Sequence, residues 1–246
     1  MPRTATARVA LATLLALGLA APALGQSLTV DLGGEGQGLA TRTAQLLLLV
    51  TVIGLVPGLA VTVTCFPFIV TVLSILRQAI GLQQSPPNML IVALALFLTW
   101  FVMEPVFLQA WANGVEPLNR GEVDLPGAIA GIVAPFRTFM AARVDPDTLA
   151  TLQALRPPAD AGAEVALSVL TPAFVLSEIA RAFEIGFLIF LPFLIIDLVV
   201  AAVLMSMGMM MVPPAIVSLP FKLAFFVVAD GWTLLSEALV RGYIGG

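Results

Sequence analysis

The chain has 246 residues, 60% of them hydrophobic and only 11% charged, with a mean hydropathy of +1.06 and a net charge of -4. Soluble domains carry about 25% charged residues, so this composition belongs in a membrane or a membrane assembly. Histidine is absent and Cys65 is the single cysteine, which excludes His-based nucleophilic pairs, the HExxH zinc motif and an intrachain disulfide; with no basic patch, nucleic acid is excluded as a partner.

Residues 1–25 read as a secretory signal peptide. Arg3 and Arg8 supply the positive start, Val9 to Ala20 the apolar stretch, and Ala23-Leu24-Gly25 a small-x-small cleavage site. Cleavage would leave residue 26 on the outer side of the membrane. Residues 26–41 are polar and glycine-rich, the composition of a flexible leader.

Residues 42–103 form the first hydrophobic hairpin. No charge separates Arg42 from Arg77, and Pro57-Gly58 and Pro67 predict a broken helical path rather than one rod. After a connector ending in Ser85-Pro86-Pro87, the spacing predicts Ser85 as N-cap and Pro86 as first residue of a second helix. That helix is expected to end before Glu104-Pro105.

Residues 104–170 form an outer segment. From 104 to 181 the chain holds nine acids and five arginines, net -4. Ile129, Ile132, Val133, Phe136 and Met140 make one apolar helical stripe. Asp145-Pro146 predicts a short capped helix to Leu155, and 157–162 a linker.

Residues 171–246 form the second hairpin. Thr171-Pro172 predicts a helix start. Glu178, Arg181 and Glu184 recur every third residue, an alternating-sign stripe that reads as solvated ion pairs or as a subunit-docking face. Opposite it the pattern puts Phe174, Val175, Ile179, Ala182 and Phe183. From Ile185 to Phe221 the only charge is Asp197, and the next apolar run holds Lys222 and Asp230. Between the runs stands Met205-Ser206-Met207-Gly208-Met209-Met210-Met211-Val212-Pro213-Pro214, with five of the nine methionines. The two prolines forbid a continuous helix, so this is a soft apolar turn, either greasy filler or a functional loop. Its Gly-x4-Pro-Pro spacing repeats that of Gly81 to Pro87.

Hydropathy gives four membrane-depth segments, near 46–76, 88–108, 185–206 and 213–234. An exported start and the positive-inside rule put both turns in the cytoplasm and 104–181 outside. Ionisable residues at such depth are costly. Asp197, Lys222 and Asp230 are therefore a structural salt bridge, a subunit contact, or the charge path of an ion channel or transporter subunit. A diaspartyl protease is a poor fit, because Asp230 lacks the preceding Gly-x-Gly loop and Lys222 would compete.

Two long stretches resemble the FliP family of flagellar type III export-gate proteins. One is Pro172-Ala173-Phe174-Val175-Leu176-Ser177-Glu178-Ile179-Ala180-Arg181-Ala182-Phe183-Glu184-Ile185-Gly186. The other runs from Pro192 through Asp197 and the methionine turn to Pro214. Leu76-Arg77-Gln78-Ala79, Pro86-Pro87-Asn88 and Asp230-Gly231-Trp232 also match, so the resemblance covers roughly 42–243.

The resemblance implies a subunit of a helical gate in the bacterial inner membrane and flagellar basal body, with the outer segment periplasmic. It implies a homo-oligomer, expected to be a pentamer, assembled with FliQ and FliR near FlhB and FlhA, and passing unfolded flagellar export substrates. Met209, Met210 and Met211 are implied to ring the pore as a seal, with Met205, Met207, Gly208, Pro213 and Pro214 supporting the loop. Arg143 and Lys222 fall at basic positions placed at subunit contacts. Glu178, Arg181, Glu184, Asp197 and Asp230 are further contacts or buried charges. The expectation is thus an all-α, multi-hairpin membrane protein with broken helices that forms a pore. No catalysis, metal or cofactor is implied.

Overall fold

The computed structural model describes residues 39–82, 85–156 and 164–244. The predicted signal peptide, most of the leader and the 157–162 linker lie outside the described residues. The chain divides into two compact units, residues 1–51 and 52–246.

All regular structure among the described residues is helical. Helix α1 is Leu39–Thr62 and α2 is Phe66–Ile80. The predicted break exists, but it falls at Val63–Cys65, and α1 runs through Pro57-Gly58. Pro67 sits in the first turn of α2, where a missing N–H costs nothing. Helix α3 is Asn88–Ala110. Its N-cap is Pro87, with no side-chain cap, in place of the predicted Ser85. Pro105 does not stop it, because one lost hydrogen bond leaves the rest of the ladder intact. The helix passes through a π-helical turn, Trp111–Val115, into the short α4, Glu116–Asn119.

Helix α5 (Leu125–Arg143) starts on Asp124, whose carboxylate accepts from the N–H of Gly127 at 3.0 Å. It lies so close to the π-turn that a Cβ on Gly131 would stand 2.2 Å from the carbonyl oxygen of Asn113. Helix α6 (Pro146–Ala154) has the predicted Asp145 cap, which accepts from the Thr148 N–H at 2.8 Å. Those bonds, first the backbone N–H and then the Thr148 hydroxyl, hold the Asp145 carboxyl below its ordinary value.

Helix α7 (Leu167–Ser206) has 40 residues, about 60 Å of helix. It starts on Ala166, so Thr171-Pro172 lies inside it rather than at its cap. Helix α8 (Pro214–Val228) and α9 (Gly231–Ile244) follow, bent 61° to one another. The bend falls on Asp230, whose φ is 48°.

The core centres on α2. Phe68, Ile69, Val72, Leu73, Leu76, Ala79 and Ile80 are buried against Ile91, Ala95 and Met103 of α3, Ala182 and Phe193 of α7, and Phe226. α2 and α7 run side by side in one direction, with Ile75 against Gly186 and Ala79 at the level of Asp197. A smaller cluster, Met140, Leu170 and Phe174, joins α5 to α7.

Three segments are long and apolar enough to cross a membrane: Asn88–Asn119, Leu125–Arg143 and Leu167–Ser206; the bent α8–α9 pair makes a fourth if counted as one. Hydropathy had put 125–143 wholly in the outer segment, because its prolines and arginines mask an apolar stretch of spanning length. The result is an all-α membrane protein.

Candidate functional site

Three groups of the singled-out residues lie along α7. At its far end α7 stops in a Schellman turn. The Met209 N–H donates to Leu204 C=O and the Gly208 N–H to Met205 C=O, both at 3.0 Å. Gly208 takes φ 73°, a left-handed conformation that costs a side-chain-bearing residue 1–2 kcal/mol, roughly. Gly81 ends α2 likewise at φ 90°. The repeated Gly-x4-Pro-Pro spacing thus marks two helix stops of one kind. The restarts differ by one residue: Pro87 caps α3, whereas Pro213 caps α8 and Pro214 opens it.

The methionine turn has almost no contacts of its own. Met209 is 39%, Met210 85% and Met211 97% exposed, and Met205 and Met207 are exposed too. Greasy filler would be buried against the chain, and these side chains are not. An apolar groove of about 450 Å³ runs below the turn, lined by Ile195, Val199, Val203, Val217 and Phe221 among others.

The second group fixes the stem of this hairpin. Asp197 Oδ2 pairs with Lys222 Nζ at 2.6 Å, and the Ser218 hydroxyl donates to Asp197 Oδ1 at 2.6 Å. Lys222 also donates to Ala79 C=O at 3.0 Å. A cation on the last carbonyls of a helix satisfies orphan acceptors and meets the negative dipole end. So Lys222 binds three elements, α2, α7 and α8. Beyond Asp197, residues 198–206 carry α7 about 13 Å further before the turn. Asp230 is not part of this group. It is exposed at the α8–α9 bend and accepts from the Thr233 hydroxyl at 3.1 Å.

The third group is built on Glu178, whose side chain is 0% exposed. Arg143 Nε lies 3.2 Å and Arg181 Nη1 3.4 Å from its Oε1, and the Tyr243 hydroxyl donates to Oε2. The Arg143 guanidinium also lies 3.9 Å over the Tyr243 ring and donates to Gly242 C=O at 3.1 Å. A carboxylate with this many charge-assisted partners is fully compensated, and the cluster ties the end of α5 and the end of α9 to α7. The alternating stripe is therefore not a solvated one. Glu178 shares its face with Phe174 and Ala182, both fully buried, because residues four apart lie on one side of a helix. Phe183, expected on the apolar face opposite, is exposed, and Glu184 is exposed and without a partner among the described residues.

Sequence reasoning missed Ser218, Tyr243 and the Ala79 carbonyl. Ser218 stands four residues before Lys222 on α8, and Tyr243 is the chain's one tyrosine. Either could have drawn notice, but the backbone acceptor leaves no sequence signal.

Residues 49–239 match the FliP family. The chain is similar to the flagellar biosynthetic protein FliP of Caulobacter vibrioides, 52% identical over 215 residues that cover 87% of this chain and 81% of that protein. The protein of the same description from Agrobacterium fabrum is 48% identical over 202 residues, 79% and 81% of the two chains. That of Bacillus subtilis is 43% identical over 205 residues, 82% and 93%. With 191 residues (49 to 239) inside the family match, well over half of the chain, the protein belongs to the FliP family.

Proposed function

We propose that the chain is a pore-forming subunit of the flagellar type III protein export gate. In this reading it passes unfolded flagellar proteins across the bacterial inner membrane, as part of the basal body and with its 104–170 segment on the periplasmic side. It works by passage and sealing rather than chemistry. Several copies, a pentamer in the family expectation, assemble with FliQ and FliR beside FlhB and FlhA. The relatives' description as flagellar biosynthetic proteins supports the setting.

The observation that carries the mechanism is the pairing of an exposed methionine turn with a fixed stem. Met210 and Met211 stand almost wholly exposed among the described residues, so in an assembly they are free to meet their counterparts or a passing polypeptide. Methionine is unbranched and polarizable and repacks around irregular shapes, as a seal around variable cargo requires. The Asp197–Lys222–Ser218 network holds the stem below it while the tip stays soft. In this reading Met205, Met207, Gly208, Pro213 and Pro214 shape the turn, and the remaining charges hold the subunit together or against its neighbours.

The experiment is replacement of Met209 to Met211 together by glycine or alanine in the assembled complex. Ion leak through the membrane rises while assembly persists. A variant that assembles and leaks no more than the parent overturns the seal. A charge-path transporter is a weaker reading, since Asp197 and Lys222 neutralise one another and Asp230 lies elsewhere.

A further inference from the structure

Methionine occurs in two environments in this chain. Met103 and Met140 are buried, one in each apolar core. Met205, Met207, Met209, Met210 and Met211 are exposed together on one turn, and Met89 is exposed in the first turn of α3.

The turn is specific in what it holds and in what it lacks. Methionine takes five of the seven positions from 205 to 211, and Ser206 is the one polar side chain between 205 and 214. Its hydroxyl is committed to Val203 C=O at 2.7 Å. Leucine would supply comparable apolar surface. The thioether differs in one chemical respect, a polarizable sulfur lone pair that takes an oxygen atom from a peroxide. Cys65, the one thiol, is fully buried and does not compete for the oxidant.

The lone pair attacks one peroxide oxygen, the O–O bond breaks and an S–O bond forms. The new S–OH group passes its proton to the departing hydroxide, which leaves as water. Sulfur loses two electrons and the peroxide gains two. The sulfoxide left behind is permanently polar. Its oxygen accepts hydrogen bonds that no side chain of the turn is free to donate, so it draws water. An apolar constriction holds back ions by staying dry, and sulfoxides within it would wet it. A seal across an aqueous conduit meets water on at least one side, and hydrogen peroxide is scarcely larger than water.

We propose that Met210 and Met211 are a methionine-oxidation site, at which a peroxide-class oxidant forms sulfoxides that open the closed turn to ions. The proposal rests on the seal reading above and names a modification that undoes it. Methionine sulfoxide reductases reverse this product, so the modification is reversible.

The test treats the assembled complex, holding the full chain in membrane vesicles, with hydrogen peroxide alone. Sulfoxide is located by peptide mass spectrometry while ion leak is followed in the same vesicles. Met210 and Met211 oxidise at least about tenfold faster than buried Met103 and Met140. Leak rises with their sulfoxide content, and methionine sulfoxide reductases lower both. These arms use the parent chain and need no variant to fold. With Met210→Leu and Met211→Leu together, peroxide no longer changes leak from that variant's own baseline, whereas Met89→Leu keeps the response. Turn methionines that oxidise no faster than Met103 overturn the proposal. So does sulfoxide formed with leak unchanged, or a peroxide response that the double variant retains. If the glycine or alanine replacement of Met209 to Met211 leaks and the sulfoxide form does not, the seal stands and the oxidation site fails. If neither leaks, the seal itself fails.

Discussion

Asp197→Ala is the sharpest perturbation of the methionine stem. It leaves Lys222 buried, with only the Ala79 carbonyl and no counter-charge. Removing one partner of a buried ion pair costs about 3–5 kcal/mol. Asp197 is not wholly buried, its side chain being 31% exposed, so the low end, about 3 kcal/mol, is the appropriate value. For a chain of this size each kcal/mol moves Tm by about 2–4 °C, giving a drop of about 6–12 °C. Lys222→Met is milder, since Asp197 keeps the Ser218 hydroxyl and some solvent. The double variant removes both charges and recovers about 1–3 kcal/mol relative to the sum of the singles. Cys65 provides the assay. It is the single cysteine and fully buried, so a thiol-reactive fluorophore in detergent micelles reports its release on heating. A Tm change below about 2 °C for Asp197→Ala, or singles that simply add, would refute the network as the stem's fastening.

Other consequences follow from single contacts. Gly131→Ala puts a Cβ against the Asn113 backbone, which cannot rotate away, and destabilises by about 1–3 kcal/mol in the same thermal assay. Gly186→Ala meets only the Ile75 side chain, first at its Cδ1, and costs less; the opposite ranking would be wrong for this packing. Tyr243→Phe removes one donor from Glu178, costs about 1.5–3 kcal/mol, and increases proteolysis at the C-terminal end. Asp145, with its carboxyl held low by Thr148, gives stability to α6 that is present above the ordinary carboxylate range and lost as pH falls through the lowered value. Amide exchange in 146–154 quickens over that acid window, and Asp145→Asn removes the dependence.

Much of the architecture was legible because it rests on strong local rules. The methionine turn was bounded by Gly208 and Pro213-Pro214, and the structure ends α7 and restarts α8 there. The Asp145 cap was read from one residue pair and is met in geometry. Proline misled in the other direction. Pro105 and Pro172 both lie inside helices, because a proline removes one hydrogen bond and a long helix keeps the others. The charged stripe misled through tertiary structure: Glu178 is buried because Arg143 and Tyr243 arrive from residues 35 and 65 positions away. Likewise the pairing of Asp197 with Lys222 rather than Asp230 depends on the α7–α8 hairpin and on where α9 bends.

The two ionic clusters divide α7 by stiffness. Glu178 and Asp197 are separated by about 28 Å of helix, and each is anchored to other elements, the first to α5 and α9 and the second to α2 and α8. Bending α7 between them would break charge-assisted bonds at one end or the other. Beyond Asp197 no such bond among the described residues holds it, and the last 13 Å or so carry aliphatic side chains, Met205 and Ser206, whose hydroxyl bonds only its own helix at Val203 C=O. The proposed seal would need this order of stiffness. A loose stem would let the turn drift off the pore axis, and a tip fixed by hydrogen bonds could not reshape around a moving chain. In the proposed gate, stem variants change where the turn stands and tip variants change how tightly it closes. Asp197→Ala should therefore impair assembly or passage as a whole, whereas substitutions at Met210 should leave assembly intact and change leak alone.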